Sequence, residues 1–227
     1  MRAALSVFAL FFLSAQALAV SLDDLSNKEA SGGLKEALTQ GASAAVAKLG
    51  KTDGFLGNPQ VKIPLPDGLR QAEGLMRTMG MGKQADELVT AMNRAAESAV
   101  AEAKPILVDA VKKMTVQDAK QILTGGDNSV TEYFRRTTSE QLTGKFKPIV
   151  TKATSKVKLA EKYDQFAGKG AQFGLVKEQD AKLENYVTRK ALDGLFAMIG
   201  EEEKAIRQNP VGATGSLAKK VFGALGQ

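Results

Sequence analysis

A chain of 227 residues, 44% hydrophobic and 25% charged, has the composition of a globular protein, and its net charge of +6 suits anionic partners. It contains no cysteine and no histidine. That removes disulfides, Ser-His-Asp and Cys-His catalysis, and zinc, copper or haem sites built on imidazole or thiolate, leaving carboxylate pairs, lysine, tyrosine, hydroxyls or an all-oxygen cation site.

Residues 1–19 read as an address. Arg2 gives a positive start, Ala3 to Leu13 form an apolar run, and Ala17-Leu18-Ala19 offers a small-x-small cleavage site. This is the layout of a secretory signal peptide, and the run is too short to span a bilayer comfortably. The expectation is export to the periplasm with cleavage near Ala19. No lipid-modifiable cysteine follows, so a lipoprotein is not expected. No later run approaches spanning length, so residues 20–227 are expected to form one soluble helical domain, not a transmembrane one.

After the signal, apolar residues recur at helical spacing. Leu34, Leu38, Ala45 and Leu49 share a stripe behind a capping box, Ser26-Asn27-Lys28-Glu29, and Gly32-Gly33 should weaken or divide that helix. Gly50 to Pro66 carries turn signals, and Val61-Lys62-Ile63 suggests a short extended arm or hairpin over residues 53–66. Phe55, Leu56, Ile63 and Leu65 should pin it to the helical body. A helix is expected from Asp67 to Thr78, interrupted by Gly80-Met81-Gly82. The next presents Leu88, Met92, Ala95, Ala99 and Ala103, and its alanines invite close approach of a neighbouring helix. Pro105 should kink it or open a new segment.

Thr115-Val116-Gln117-Asp118 is a second capping box, with Val116, Ala119, Ile122 and Leu123 expected inward. Gly125-Gly126 ends that helix. Ser129-Val130-Thr131-Glu132 is a third box before a long pattern through Leu142, Phe146, Ile149 and Val150 towards Tyr163. Pro148 predicts a break near Phe146. Gly168, Gly170 and Gly174 suggest a loosened linker or flap over residues 165–178. A helix over 179–207 carries Leu183, Val187, Ala191, Leu195 and Ile199, and a short closing helix presents Leu217, Val221, Phe222 and Leu225. The fold class is therefore all-α, a multi-helix bundle with one extended loop.

The chemistry-bearing candidates form two groups. Asn93, Arg94, Glu97, Asp118, Tyr133 and Arg207 make a candidate polar cluster; helical spacing relates Asn93 to Glu97 and Arg94 to Glu97. The competing reading is a buried hydrogen-bonded network between helices, because buried polar groups need partners whether or not they function. Glu203 and Arg207 form an i,i+4 pair that reads as stabilising. Lys145, Lys152 and Lys156 make a basic stripe that could meet anionic lipid or cell-wall polymer, or remain a solvated face. Gly168 to Gly174 does not fit a phosphate loop, and no cofactor or metal is expected. Export disfavours nucleic acid as a partner.

Several segments together resemble a known family. Gly33-Leu34-Lys35-Glu36-Ala37-Leu38, Asp53-Gly54-Phe55, Ile63-Pro64-Leu65-Pro66, Asn93-Arg94-Ala95-Ala96-Glu97, Met114 to Ala119, Tyr133-Phe134 and Ile206-Arg207-Gln208-Asn209-Pro210 occur in order. The chain resembles the exported bacterial family named domain of unknown function 4197. The resemblance implies a Gram-negative periplasmic helical protein and supplies no activity, cofactor or catalytic residue. Recognition is the leading expectation, with an envelope protein, anionic lipid or cell-wall polymer as partner. The alternative is a carboxylate-dependent cell-wall glycan hydrolase using acids among Glu97, Glu102, Asp118 and Glu132; it needs two carboxyls facing one cleft, one of them desolvated.

Overall fold

Among the described residues of the computed structural model, 27–172 and 176–209, the chain is helical and has no strand. In order come α1 (Asn27–Leu49), α2 (Asp67–Thr78), α3 (Gly82–Ala101), α4 (Lys104–Lys113), α5 (Val116–Thr124), α6 (Ser129–Thr154), α7 (Lys158–Gln172), a 3-10 turn (Glu178–Asp180) and α8 (Leu183–Gln208). The all-α bundle expected from periodicity is what forms. The stretches expected to form a signal peptide and a closing helix, together with Ser26 of the first expected capping box, Phe173 and Gly174, lie outside the described residues. No helix among those described is long and apolar enough to cross a membrane.

Helix α3 runs through the middle because its contact positions are small. Ala95, Ala96 and Ala99 are fully buried beside Leu88, Met92 and Val100, and α3 touches α1, α2, α6, α7 and α8. Alanine lets backbones approach closely, so one helix can serve several neighbours. The most extensive pairing is α6 with α8. Phe134, Leu142 and Phe146 of α6 and Leu195 and Phe196 of α8 are buried, each such side chain contributing about 1.5–3 kcal/mol on leaving water. The buried apolar residues form one core.

Tertiary packing overrides several local signals. Gly32-Gly33 lies within an unbroken α1. Pro148 sits inside α6, and the helix breaks at 155–157 instead of near Phe146. The proline forfeits one hydrogen bond and crowds the carbonyl of Gly144, but Leu142, Phe146 and Val150 are fully buried and hold the helix on course. Pro105, by contrast, opens α4. Part of the expected flap is helix: α7 continues through Gly168, anchored by buried Leu159, Ala160, Tyr163 and Ala167. Val116 is 64% exposed, not inward, because it starts α5 while Ala119 and Ile122 face the core.

The 50–66 connection places the first site. Turns run to Val61 and an irregular stretch covers 62–66. Phe55, Ile63 and Leu65 are buried as anchors, whereas Leu56 is half-buried. Phe55 lies against Gly194 of α8, where a Cβ would stand 2.6 Å from the ring. That glycine is required by a neighbour's bulk, not by backbone conformation.

Candidate functional site

The predicted polar residues fall into three places. In the first, Asn93, Arg94 and Glu97 on α3 face the 53–66 connection. Asn93 Oδ1 accepts from Ile63 N at 2.8 Å, while Nδ2 donates to Ile63 O at 2.9 Å and Val89 O at 2.8 Å. Glu97 Oε1 accepts from the N–H groups of Phe55 and Leu56, both at 3.1 Å. Its Oε2 accepts from Arg94 at 2.7 Å, and Arg94 reaches Asp53 at 2.8 Å. Tyr186 of α8, which sequence reasoning passed over, donates to Pro64 O at 3.1 Å. Asn93 and Glu97 are buried. One helix turn thus satisfies backbone groups that a buried loop would otherwise leave orphaned. This is a clasp.

The second place holds Arg207. Glu203 on α8 is buried, and its carboxylate accepts from Val130 N and Thr131 N at 3.1 Å each and from Thr131 Oγ1 at 3.0 Å. Arg207 donates to the same carboxylate at 3.0 Å, to Ser129 Oγ at 2.8 Å and to Ile122 O at 3.3 Å. The expected capping box at Ser129 does not form. Asn128 is the N-cap residue and gives no side-chain cap, while Ser129 Oγ donates to Ile122 O at 3.0 Å. The start of α6 is capped from another helix, where a carboxylate suits the exposed N–H groups and the positive helix end.

Asp118 and Tyr133 share the third place, an open cleft of about 460 Å³ at the α5–α6 junction, which Glu132, Asp127 and Arg136 also line. The capping box at Thr115 is present: Thr115 Oγ1 donates to Asp118 Oδ2 at 2.6 Å and accepts from Asp118 N. Arg136 donates to Asp118 Oδ1 at 3.1 Å, and its guanidinium stands 5.9 Å from the Tyr133 ring centre. Hydrogen bonds from the Thr115 hydroxyl and N–H, then the Arg136 charge, hold the Asp118 carboxyl below its usual range. Tyr133 donates to Ala110 O at 2.7 Å, and burial pushes its phenol upward.

These arrangements bear on chemistry. A general acid at neutral pH needs a raised carboxyl, and Asp118 is shifted the other way. Glu132 on the same cleft is exposed. Glu97 is occupied on the far side by two backbone N–H groups and Arg94. Glu102 is exposed and lies 3.6 Å from Lys145. Asp118 and Glu132 line one cleft, but neither is the desolvated acid that glycan hydrolysis requires, and Glu97 and Glu102 lie outside its lining. Among the described residues, no three Asp or Glu side chains converge as a metal ligand set.

Of the lysine candidates, Lys152 and Lys156 sit where α6 turns into α7, while Lys145 lies well inside α6 beside Glu102. Lys145 and Lys152 lie on α6, but Lys156 falls in the 155–157 turn, so the stripe does not continue along one helix. Lys147 approaches Glu184 at 3.3 Å. Lys152, Lys156, Lys158 and Lys162 are all exposed and form no ion pair among the described residues.

A family model described as protein of unknown function, DUF4197, matches residues 24–223, nearly the whole chain. The chain belongs to that family. No curated protein and no solved structure matches it.

Proposed function

We propose that this member of the DUF4197 family is a recognition module of the bacterial envelope, exported by its first nineteen residues and docking on anionic lipid through the lysine-rich α6–α7 corner. The mature chain, 20–227, acts as one helical domain in this reading. The observation that carries it is a contrast between cations. Arg77, Arg94, Arg136, Arg189 and Arg207 are each bound to carboxylates, whereas Lys152, Lys156, Lys158 and Lys162 gather at one corner with Glu161 as the acidic residue among them. Unpaired lysines near a lipid surface contribute about 1 kcal/mol each, over a range of about 10 Å at 0.1 M salt. The buried acids support recognition over catalysis, because Glu97 and Glu203 hold backbone N–H groups.

Flotation with vesicles of phosphatidylglycerol in phosphatidylcholine tests this. The protein should float at low salt, release as salt rises, and ignore pure phosphatidylcholine. Reversing Lys152, Lys156 and Lys158 to glutamate should abolish flotation without changing Tm. Flotation that is independent of salt, of lipid charge or of these lysines would defeat the proposal.

A further inference from the structure

Helix α2 carries more apolar surface than its own fold uses. Met76 is buried and Leu69 half-buried against the core. Leu75 is 65% and Met79 68% exposed, two of the three large apolar residues so exposed among those described. Isolated exposed apolar side chains are ordinary. These two are not isolated. Met79 N–H donates to Leu75 O at 3.0 Å, which carries the helical spacing through Met79, and Gly68 falls on the same line two turns before Leu75. A Cβ built at Gly68 would meet nothing within 4 Å. The line therefore runs from an open notch at one end to two unpartnered side chains at the other.

Charge identifies the occupant. Arg70 and Arg77 stand about half a turn round from that line. Both are matched within the chain, Arg70 to Asp67 at 2.7 Å and Arg77 to Glu73 at 2.7 Å and Asp86 at 2.8 Å. The line itself is uncharged, but its ends differ in sign. Asp67, its side chain 83% exposed, opens α2; the exposed Lys83, which forms no ion pair among the described residues, follows the far end. A second copy laid antiparallel meets each of these features twice. Met79 of each copy enters the notch at Gly68 of the other, and the two Leu75 side chains come within about 5 Å along the axis. Asp67 of each copy then faces Lys83 of the other, as a two-fold contact requires. Nothing in a lipid surface calls for the notch or for ends of opposite sign.

We propose that α2 pairs antiparallel with α2 of a second copy across a two-fold axis, making the protein a weak homodimer. Helix α2 has 12 residues, and a single pair of helices about 18 Å long falls short of the roughly 800 Å² per partner of a standard interface, so Kd should be on the order of 0.1–1 mM. The contact is independent of the lysine corner, and its tests use no lipid. Sedimentation velocity of the mature chain, 20–227, from about 20 μM to about 1 mM should show a sedimentation coefficient that rises with concentration. The chain has no cysteine, so single cysteines report proximity directly. Under mild oxidation Leu75→Cys should cross-link at least about tenfold faster than Val116→Cys, a position equally exposed but on α5. Met79→Glu should raise Kd at least about tenfold by burying an unpaired charge, with Tm unchanged because the side chain is exposed in the single copy. Lys83→Glu, which sets two acids face to face at both ends, should raise it about threefold or more. A monomer throughout the concentration range, equal cross-linking of the two cysteines, or a Kd unchanged by either glutamate variant would overturn the proposal.

Discussion

Glu97 and Glu203 perform the same operation in two settings. Each carboxylate accepts two N–H groups from a distant segment and is braced by an arginine on its own helix, Arg94 three residues before or Arg207 four after. The settings differ in water. The Arg94 side chain is 39% exposed and leans outward to Asp53, whereas Arg207 is 15% exposed and turned in towards Ser129 and Ile122. Glu97 latches a connection at the rim; Glu203 joins α5, α6 and α8. Identical chemistry should therefore have local consequences in one place and global ones in the other.

Removing Glu203 is the strongest way to break this contrast. Glu203→Ala leaves Arg207 without its carboxylate and the α6 N-terminus uncapped, and should cost about 3–5 kcal/mol, the scale for breaking a buried pair. Urea unfolding would read this as a lower midpoint with the slope unchanged. If Glu203→Ala costs no more than Glu97→Ala, the distinction between a carboxylate braced by a sealed arginine and one braced by an exposed arginine fails. Glu97→Ala should cost less, about 1.5–3 kcal/mol as for hydrogen bonds to a charged group, because water can reach the vacated edge. Hydrogen exchange sharpens the comparison further. The amides of Phe55 and Leu56 should lose protection while those of α8 keep theirs; uniform loss across the molecule would contradict a local latch.

The smallest effect concerns two buried phenols, one at the rim and one beside the 3-10 turn, and appears in alkali. Burial, with the Asp67 charge second, pushes the Tyr186 phenol to about 12, and burial followed by the Asp180 charge pushes Tyr163 to about 12. Both donate to backbone carbonyls, Tyr186 to Pro64 and Tyr163 to Asp180. A phenol raised in the folded state contributes stability present below the unfolded value near 10, and that contribution is lost as pH climbs through 12. The chain has no tryptophan and three tyrosines, so tyrosinate absorbance reads these groups directly. Ionisation should lag free tyrosine between pH 10 and 12. A simple titration near 10 would show that the phenols are not held.

Much of the helix pattern was legible because periodic burial is local information. The Thr115–Asp118 box was legible for the same reason, since both partners lie within one turn. Glu97 was half legible: its spacing to Asn93 and Arg94 stood out, but its acceptor role did not, because the backbone N–H groups of Phe55 and Leu56 carry no residue signature. Glu203 was hidden among Glu201 and Glu202, which suggest a solvated face; only Arg207 four residues on hinted at burial. Ser129 misled because its hydroxyl bonds Ile122 O, a contact set by how α5 docks. Gly194 gave no signal at all, since its purpose is to make room for Phe55 from a remote part of the chain.

The cap on α6 carries a consequence for how the molecule is made. Val130 and the carboxylate that holds its N–H are separated by 73 positions, and polypeptides emerge from the ribosome starting at the N-terminus. The opening turn of α6 must therefore wait, uncapped, until residue 203 has been synthesised. A nascent chain halted before that point would have made all of α6 and most of α8 yet lack the carboxylate that ties them together, so completion of the fold is deferred until the last turns of α8 have emerged.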